Sequence, residues 1–136
     1  MKISNKIQWL KRVLLIKAIL TILVWGLPAL IGPSTFLALF DLEMPEDPTF
    51  LRLFGAVVTA FGVAYWYAYR DPLRNAAIVR AGVVDNGLVT LAIIVLGFTT
   101  GVSSWFIWVS ALLTAIFFVA FLVLMPKDGE ESPATT

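Results

Sequence analysis

Four long apolar runs divide this chain, and short polar or proline-bearing stretches separate them. A helix needs about 20 predominantly apolar residues to cross a bilayer. Each run reaches that length, so the pattern predicts spans at about 11–31, 49–69, 76–98 and 103–125. The first run follows Lys2, Lys6, Lys11 and Arg12. It is longer than a signal-peptide core, and "GLPALIGPS" offers no small-residue cleavage pattern, so it reads as a retained helix. Pro28 and Gly32-Pro33 are expected to end it, because proline lacks an N–H and clashes with the preceding turn. Asp47-Pro48 and Asp71-Pro72 each read as an N-cap followed by the first helical residue. The tight turn at Asp71 makes the second and third spans antiparallel neighbours. The fourth span follows "TTGVSS", with Ser103 or Ser104 as its cap, and ends near Met125-Pro126.

Between spans 1 and 2, "STFLALFDLEMPEDP" (34–48) is too short and too acidic to cross. Phe36, Leu37, Leu39 and Phe40 form one apolar face of a short interfacial helix, followed by an acidic rim of Asp41, Glu43, Glu46 and Asp47. A solvated loop with two prolines is the plainer alternative. The expected fold is an all-α integral membrane protein: an antiparallel bundle of four transmembrane helices with that short helix between spans 1 and 2. Residues 1–126 make a single membrane domain, and 127–136 a polar cytoplasmic tail.

Composition agrees with this picture. The chain is 60% hydrophobic, where a soluble domain is nearer 45–50%. It has no Cys and no His. That removes disulfides, iron–sulfur clusters, thiolate nucleophiles and imidazole-bound metals or haem from the chemistry of this chain. No glycine-rich phosphate loop follows a strand. No metal, cofactor, nucleic acid or catalytic residue is therefore expected, and the chain does not read as an enzyme.

Charge position gives the orientation. Alternating sides across four spans puts Lys2, Lys6, Lys11, Arg12, Arg70, Arg74, Arg80 and Lys127 on one side, and only Arg52 on the other. Basic residues favour the cytoplasmic side, so both termini are expected in the cytoplasm and the chain in the cell (inner or plasma) membrane. Trp9, Trp66, Tyr67 and Tyr69 fall near the inner interface, and Trp105 and Trp108 near the outer one. Trp25 lies somewhat deeper. Arg52, Arg70, Arg74 and Arg80 are candidates for lipid headgroups, and Arg52 is expected to snorkel or to meet Glu46, Asp47 or a phosphate. "YWYAYRDPLRN" reads as an interface belt and topology signal, or as a site for anionic lipid or a partner.

The polar residues inside the spans are the candidate chemistry. At 1.5 Å per residue, Asp85 lies roughly 10–12 Å inside the inner boundary and Lys17 about 9 Å. A lone charge there costs at least about 2.5 kcal/mol, so the matched depths predict a Lys17–Asp85 pair, with Arg80, better placed to snorkel, and Arg70 as competing partners of Asp85. Thr21, Thr59, Asn86, Thr90, Ser110 and Thr114 extend it into a polar seam. Ser and Thr in such helices also bond their own i−4 carbonyls, and the pair has a purely structural reading in which it fixes helix register. Ala81 and Gly82 on the third span, and Gly55, Ala56, Thr59 and Gly62 on the second, are small enough to admit a neighbouring helix.

The length, the four spans and the turn "AYRDPLRN" (68–75), followed by a helix with small and polar residues, resemble the small four-helix membrane proteins grouped as DoxX-like or BphX-like. Some members of that group occur beside oxidoreductases, so the resemblance implies an accessory role. It carries over no catalytic residues. The residues themselves leave two functions open. One is an accessory or scaffold subunit packed in the bilayer, within a larger membrane complex or a homo-oligomer. The other is a bundle that handles a proton, a small ligand or a lipid or quinone head through the Lys17–Asp85 seam. A closed, paired seam favours the first and an open one the second.

Overall fold

The computed structural model describes residues 2–127. The polar tail foreseen over 127–136 lies, from 128 onward, outside the described residues. The described chain is helical, with α1 Ile3–Ile31, α2 Ser34–Ala38, α3 Thr49–Arg70, α4 Ala76–Thr100 and α5 Trp105–Leu124. Among the described residues, α1, α3, α4 and α5 are long and apolar enough to cross a membrane.

Helix α1 differs from expectation in two ways. It begins at Ile3 rather than near Lys11, so its basic first turns are already helical. It also runs through Pro28, because a wider π turn occupies Thr21–Gly26 just before it. There the Leu27 N–H donates to Ile22 O, five residues back. The ladder is thus reset where Pro28 would have broken it. The helix stops at Gly32, whose backbone is extended.

The other boundaries are set by short-range polar contacts. Asp47 Oδ1 accepts the Thr49 N–H at 2.9 Å, two residues on, as an N-cap side chain does. Asp71 Oδ1 accepts the Arg74 N–H at 3.1 Å and so holds the turn at 72–75, after which α4 proper begins. Gly101 ends α4 in the left-handed region (φ 70°), where a residue without Cβ is unstrained. Ser104 stands at the head of α5 but does not cap it. Its hydroxyl donates to Phe40 O at 3.0 Å, tying the end of the α2 loop to α5. The Phe40 ring packs on Phe106, at 4.9 Å between centroids, and Leu37 is buried. Phe40 of the expected interfacial face thus meets α5, while Leu39 stays exposed.

The Thr49 hydroxyl, and then its N–H, hold the Asp47 carboxyl below its ordinary range. A depressed carboxyl stabilises the folded state above the ordinary carboxylate pKa, and that contribution is lost as pH falls through the lowered folded value. Asp47→Ala is expected to fray the first turn of α3, read as faster amide exchange at Thr49 and Phe50. Asp47→Asn keeps an acceptor and should exchange nearly as slowly as wild type. Unchanged exchange in Asp47→Ala would show the cap to be idle.

Packing follows the small residues. Gly55 of α3 lies against the Ala29–Leu30 backbone of α1, and Gly62 against Ile22. Gly26 sits beside Thr59. Residue numbers therefore fall along α1 as they rise along α3. The α4–α5 pair runs with the same sense: Gly82 lies on Phe121, Gly87 on Phe118 and Gly97 on Trp108. The main apolar core, built on Leu10, Leu14, Tyr65, Val79 and Phe121, lies toward the end of the bundle that holds the α3–α4 turn.

Polarity is inverted relative to a water-soluble bundle. The outward faces carry large apolar side chains, with Phe50 86% and Phe98 81% exposed. The interior holds Lys17, Thr21, Asn86, Ser110 and Thr114.

Candidate functional site

Lys17 is the centre of the interior polar groups. It is only 3% exposed, and each of the four long helices brings a group to its ammonium. Its Nζ donates to Asn86 Oδ1 of α4 at 2.7 Å. Three rings surround it: Phe117 of α5 at 4.8 Å to the centroid, Trp25 of α1 at 5.1 Å and Tyr65 of α3 at 5.6 Å. All lie within the roughly 6 Å at which a ring face attracts a cation. Asn86 Nδ2 donates to Gly82 O at 2.7 Å. That bond fixes the carboxamide so that its oxygen, not its NH₂, meets the ammonium.

The expected Lys17–Asp85 contact is not the one that forms. Neighbouring residues on a helix point about 100° apart. When Asn86 faces the bundle axis, Asp85 turns toward α3. There its Oδ2 accepts a hydrogen bond from the Tyr65 hydroxyl at 3.1 Å, and the residue is half-buried. Asp85 remains near enough for its charge to act on the ammonium through space. Tyr65 joins the two: its ring faces Lys17 and its hydroxyl holds Asp85.

The rest of the seam divides into parts. Thr90 and Thr114 share a hydrogen bond of 2.8 Å across α4 and α5. Each hydroxyl has one proton, so one of them donates across this contact while the other donates to the carbonyl four residues back, Thr114 to Ser110 O or Thr90 to Asn86 O. Ser110 Oγ accepts the Trp25 indole N–H at 2.8 Å, so Trp25 is held at both its ring face and its edge. Thr59 bonds Gly55 O, four residues back, and sits at the α1–α3 contact rather than in the cage. The Thr21 hydroxyl, at the start of the π turn, is buried and bonds no described residue.

Arg52 corrects another expectation. Its guanidinium donates to Ala29 O at 3.1 Å and Gly32 O at 2.9 Å, so it closes the C-terminal end of α1, where the sequence offered Glu46, Asp47 or a phosphate as its partner. Those carbonyls have no partners further along their own helix and carry its partial negative charge. Arg70, Arg74 and Arg80 are exposed toward the end that holds the α3–α4 turn.

The rings of Trp25, Tyr65 and Phe117 were not among the sequence candidates. The described residues contain no group of three or more Asp, Glu, His or Cys placed to hold a metal ion. Two open apolar grooves lie on the outside, one along α5 beside Trp9 and one between α1 and α3. Neither is lined by a residue of the cage. The arrangement can hold a cation rigidly among four helices. Comparison with protein-family models, curated proteins and solved structures finds no match for this chain.

Proposed function

We propose that the chain is a multi-pass protein of the cell membrane, an antiparallel four-span bundle with both termini cytoplasmic, and that it serves as an accessory or scaffold subunit of a larger membrane complex. The observation that carries this reading is the inverted polarity. A lysine, an asparagine and hydroxyls are enclosed at the centre, while large apolar side chains cover the outside. In water such a surface is an aggregation hazard. In a bilayer it is the expected arrangement, because polar groups must then find partners within the protein. The accessory role is supported by a closed cage in which the ammonium of Lys17, a residue only 3% exposed, is met by an amide oxygen and three rings. The resemblance to DoxX-like proteins points the same way.

A second reading, a site that handles a proton or small ligand, is favoured by half-buried Asp85 and the unpaired Thr21 hydroxyl. Native mass spectrometry after mild extraction separates the two. A larger complex that survives Asp85→Asn is the expected result. A solitary chain carrying a small molecule that Asp85→Asn loses would replace the accessory reading with the second one. Because the chain has no native cysteine, orientation is also testable by single-cysteine labelling. In intact cells a membrane-impermeant maleimide should label Glu46→Cys but not Arg74→Cys, and the reverse pattern would invert the topology.

A further inference from the structure

The groove beside Trp9 has the geometry of a lipid site. It is open, encloses about 720 Å³, and is lined by Trp9 of α1 and by α5 residues including Ala115, Ile116, Val119, Ala120 and Val123. Ala115 and Ala120 are short among larger neighbours, and that difference leaves a depression. From Ala115 to Leu124 the groove follows α5 for about 13 Å at 1.5 Å per residue. That is somewhat less than half of a hydrocarbon core about 30 Å thick, close to the depth of one leaflet.

The groove also has a charged end. The Arg12 guanidinium lies 5.1 Å from the centroid of the Trp9 ring. Trp9 is the groove's α1 wall, so Arg12 flanks the groove without lining it, at the end that the membrane reading puts near the headgroups. Lys11 precedes Arg12 in the chain. Aromatic and basic residues at one end of a one-leaflet apolar channel match a phosphate joined to an acyl chain.

We infer that this groove binds an anionic phospholipid of the leaflet on the Trp9 side, with one acyl chain along α5 between Ala115 and Val123 and the headgroup phosphate on Arg12. The inference rests on the membrane reading above. It differs from the general annulus of lipid in having a headgroup preference set by one residue.

The test uses the full chain in nanodiscs containing equal phosphatidylglycerol and phosphatidylcholine with identical acyl chains, followed by native mass spectrometry of retained lipid. Wild type is expected to retain phosphatidylglycerol about fivefold over phosphatidylcholine, the scale of one basic residue at a membrane surface. Arg12→Gln should bring that ratio close to one. Ala120→Trp fills the channel and should lower retention of both lipids, with helical content unchanged. A ratio unmoved by Arg12→Gln overturns the site. So does an Ala120→Trp variant that changes oligomeric state while lipid retention stays constant, because the occupant would then be a second copy. If the chain is released from membranes by alkaline carbonate, the membrane reading itself has failed, and this is seen before any lipid is measured.

Discussion

Asn86→Leu is expected to destabilise the bundle by about 3 kcal/mol, because it strands a buried ammonium. Neutral hydrogen bonds between membrane helices average only about 0.6 kcal/mol in measured cycles, so an ordinary polar contact would not produce such a loss. The contact here differs in that its donor is charged and only 3% exposed. With the amide oxygen gone, three ring faces remain, and each is worth about 0.5–2 kcal/mol toward a cation. They soften the loss without replacing the acceptor. Lys17→Met leaves the rings packed and the Asn86 NH₂ still bonded to Gly82 O. It strands one neutral carbonyl, at about 1–3 kcal/mol, and leaves the half-buried Asp85 carboxylate to the Tyr65 hydroxyl. The double variant Lys17→Met, Asn86→Leu removes both polar groups and should return to within about 1 kcal/mol of wild type. Reversible unfolding in mixed micelles, followed by helical circular dichroism, gives all three values. A double variant as unstable as Asn86→Leu alone would mean that Asn86 acts through packing and not through the ammonium.

This experiment bears on what the sequence could reveal. Length and composition located the long helices, because crossing a bilayer is a one-dimensional requirement. The depth argument is also one-dimensional. It brought Lys17 level with the 85–86 step of α4 but left the azimuth open. Residues 85 and 86 differ by about 1.5 Å in height and by about 100° in direction, and the amide, not the carboxylate, faces the axis. The charge rule favoured Asp85; the packing of Gly82 under Tyr65 and Phe121 selects Asn86. The π turn defeats a helical wheel as well. On a regular α-helix Trp25 would lie about 80° away from Lys17. The wider turn over Thr21–Gly26 reduces the twist per residue and brings the Trp25 ring to the ammonium. Only Pro28, a short distance downstream, hinted at an irregular ladder. Arg52 was misplaced for a different reason. The carbonyls it binds become available only because α1 ends at Gly32, beside the start of α3.

Gly55→Ala carries the second large expected effect, a loss of about 2 kcal/mol. It tests whether α1 and α3 meet backbone to backbone. A Cβ at this position would stand 2.6 Å from Ala29 C and 2.7 Å from Leu30 Cα, and closer still to Leu30 N. These are main-chain atoms of α1, so no side-chain rotation relieves the clash and the helices must separate. Overpacking of that kind costs about 1–3 kcal/mol, occasionally more. Ala also favours the helix over Gly by about 1 kcal/mol, which offsets part of the cost but not its sign. Gly62→Ala is the internal comparison. Its Cβ would meet chiefly Cγ1 of the Ile22 side chain, and a β-branched residue in a helix has little χ1 freedom. This substitution also forces a shift, but of a side chain and not of main chain, and should cost less than Gly55→Ala. Gly101→Ala has open space around it but a φ of 70°, and should cost about 1 kcal/mol from backbone strain alone. Gly55→Ala is therefore expected to be the most perturbed of the three. The Gly55→Ala loss should also reach the cage, because Tyr65 and Lys17 are carried by the two helices it pushes apart. Trp25 fluorescence, isolated by replacing the other tryptophans with Phe, should then shift in Gly55→Ala and remain unchanged in Gly101→Ala. A Gly55→Ala variant as stable as wild type would show that the close approach of α1 and α3 does not hold the bundle together.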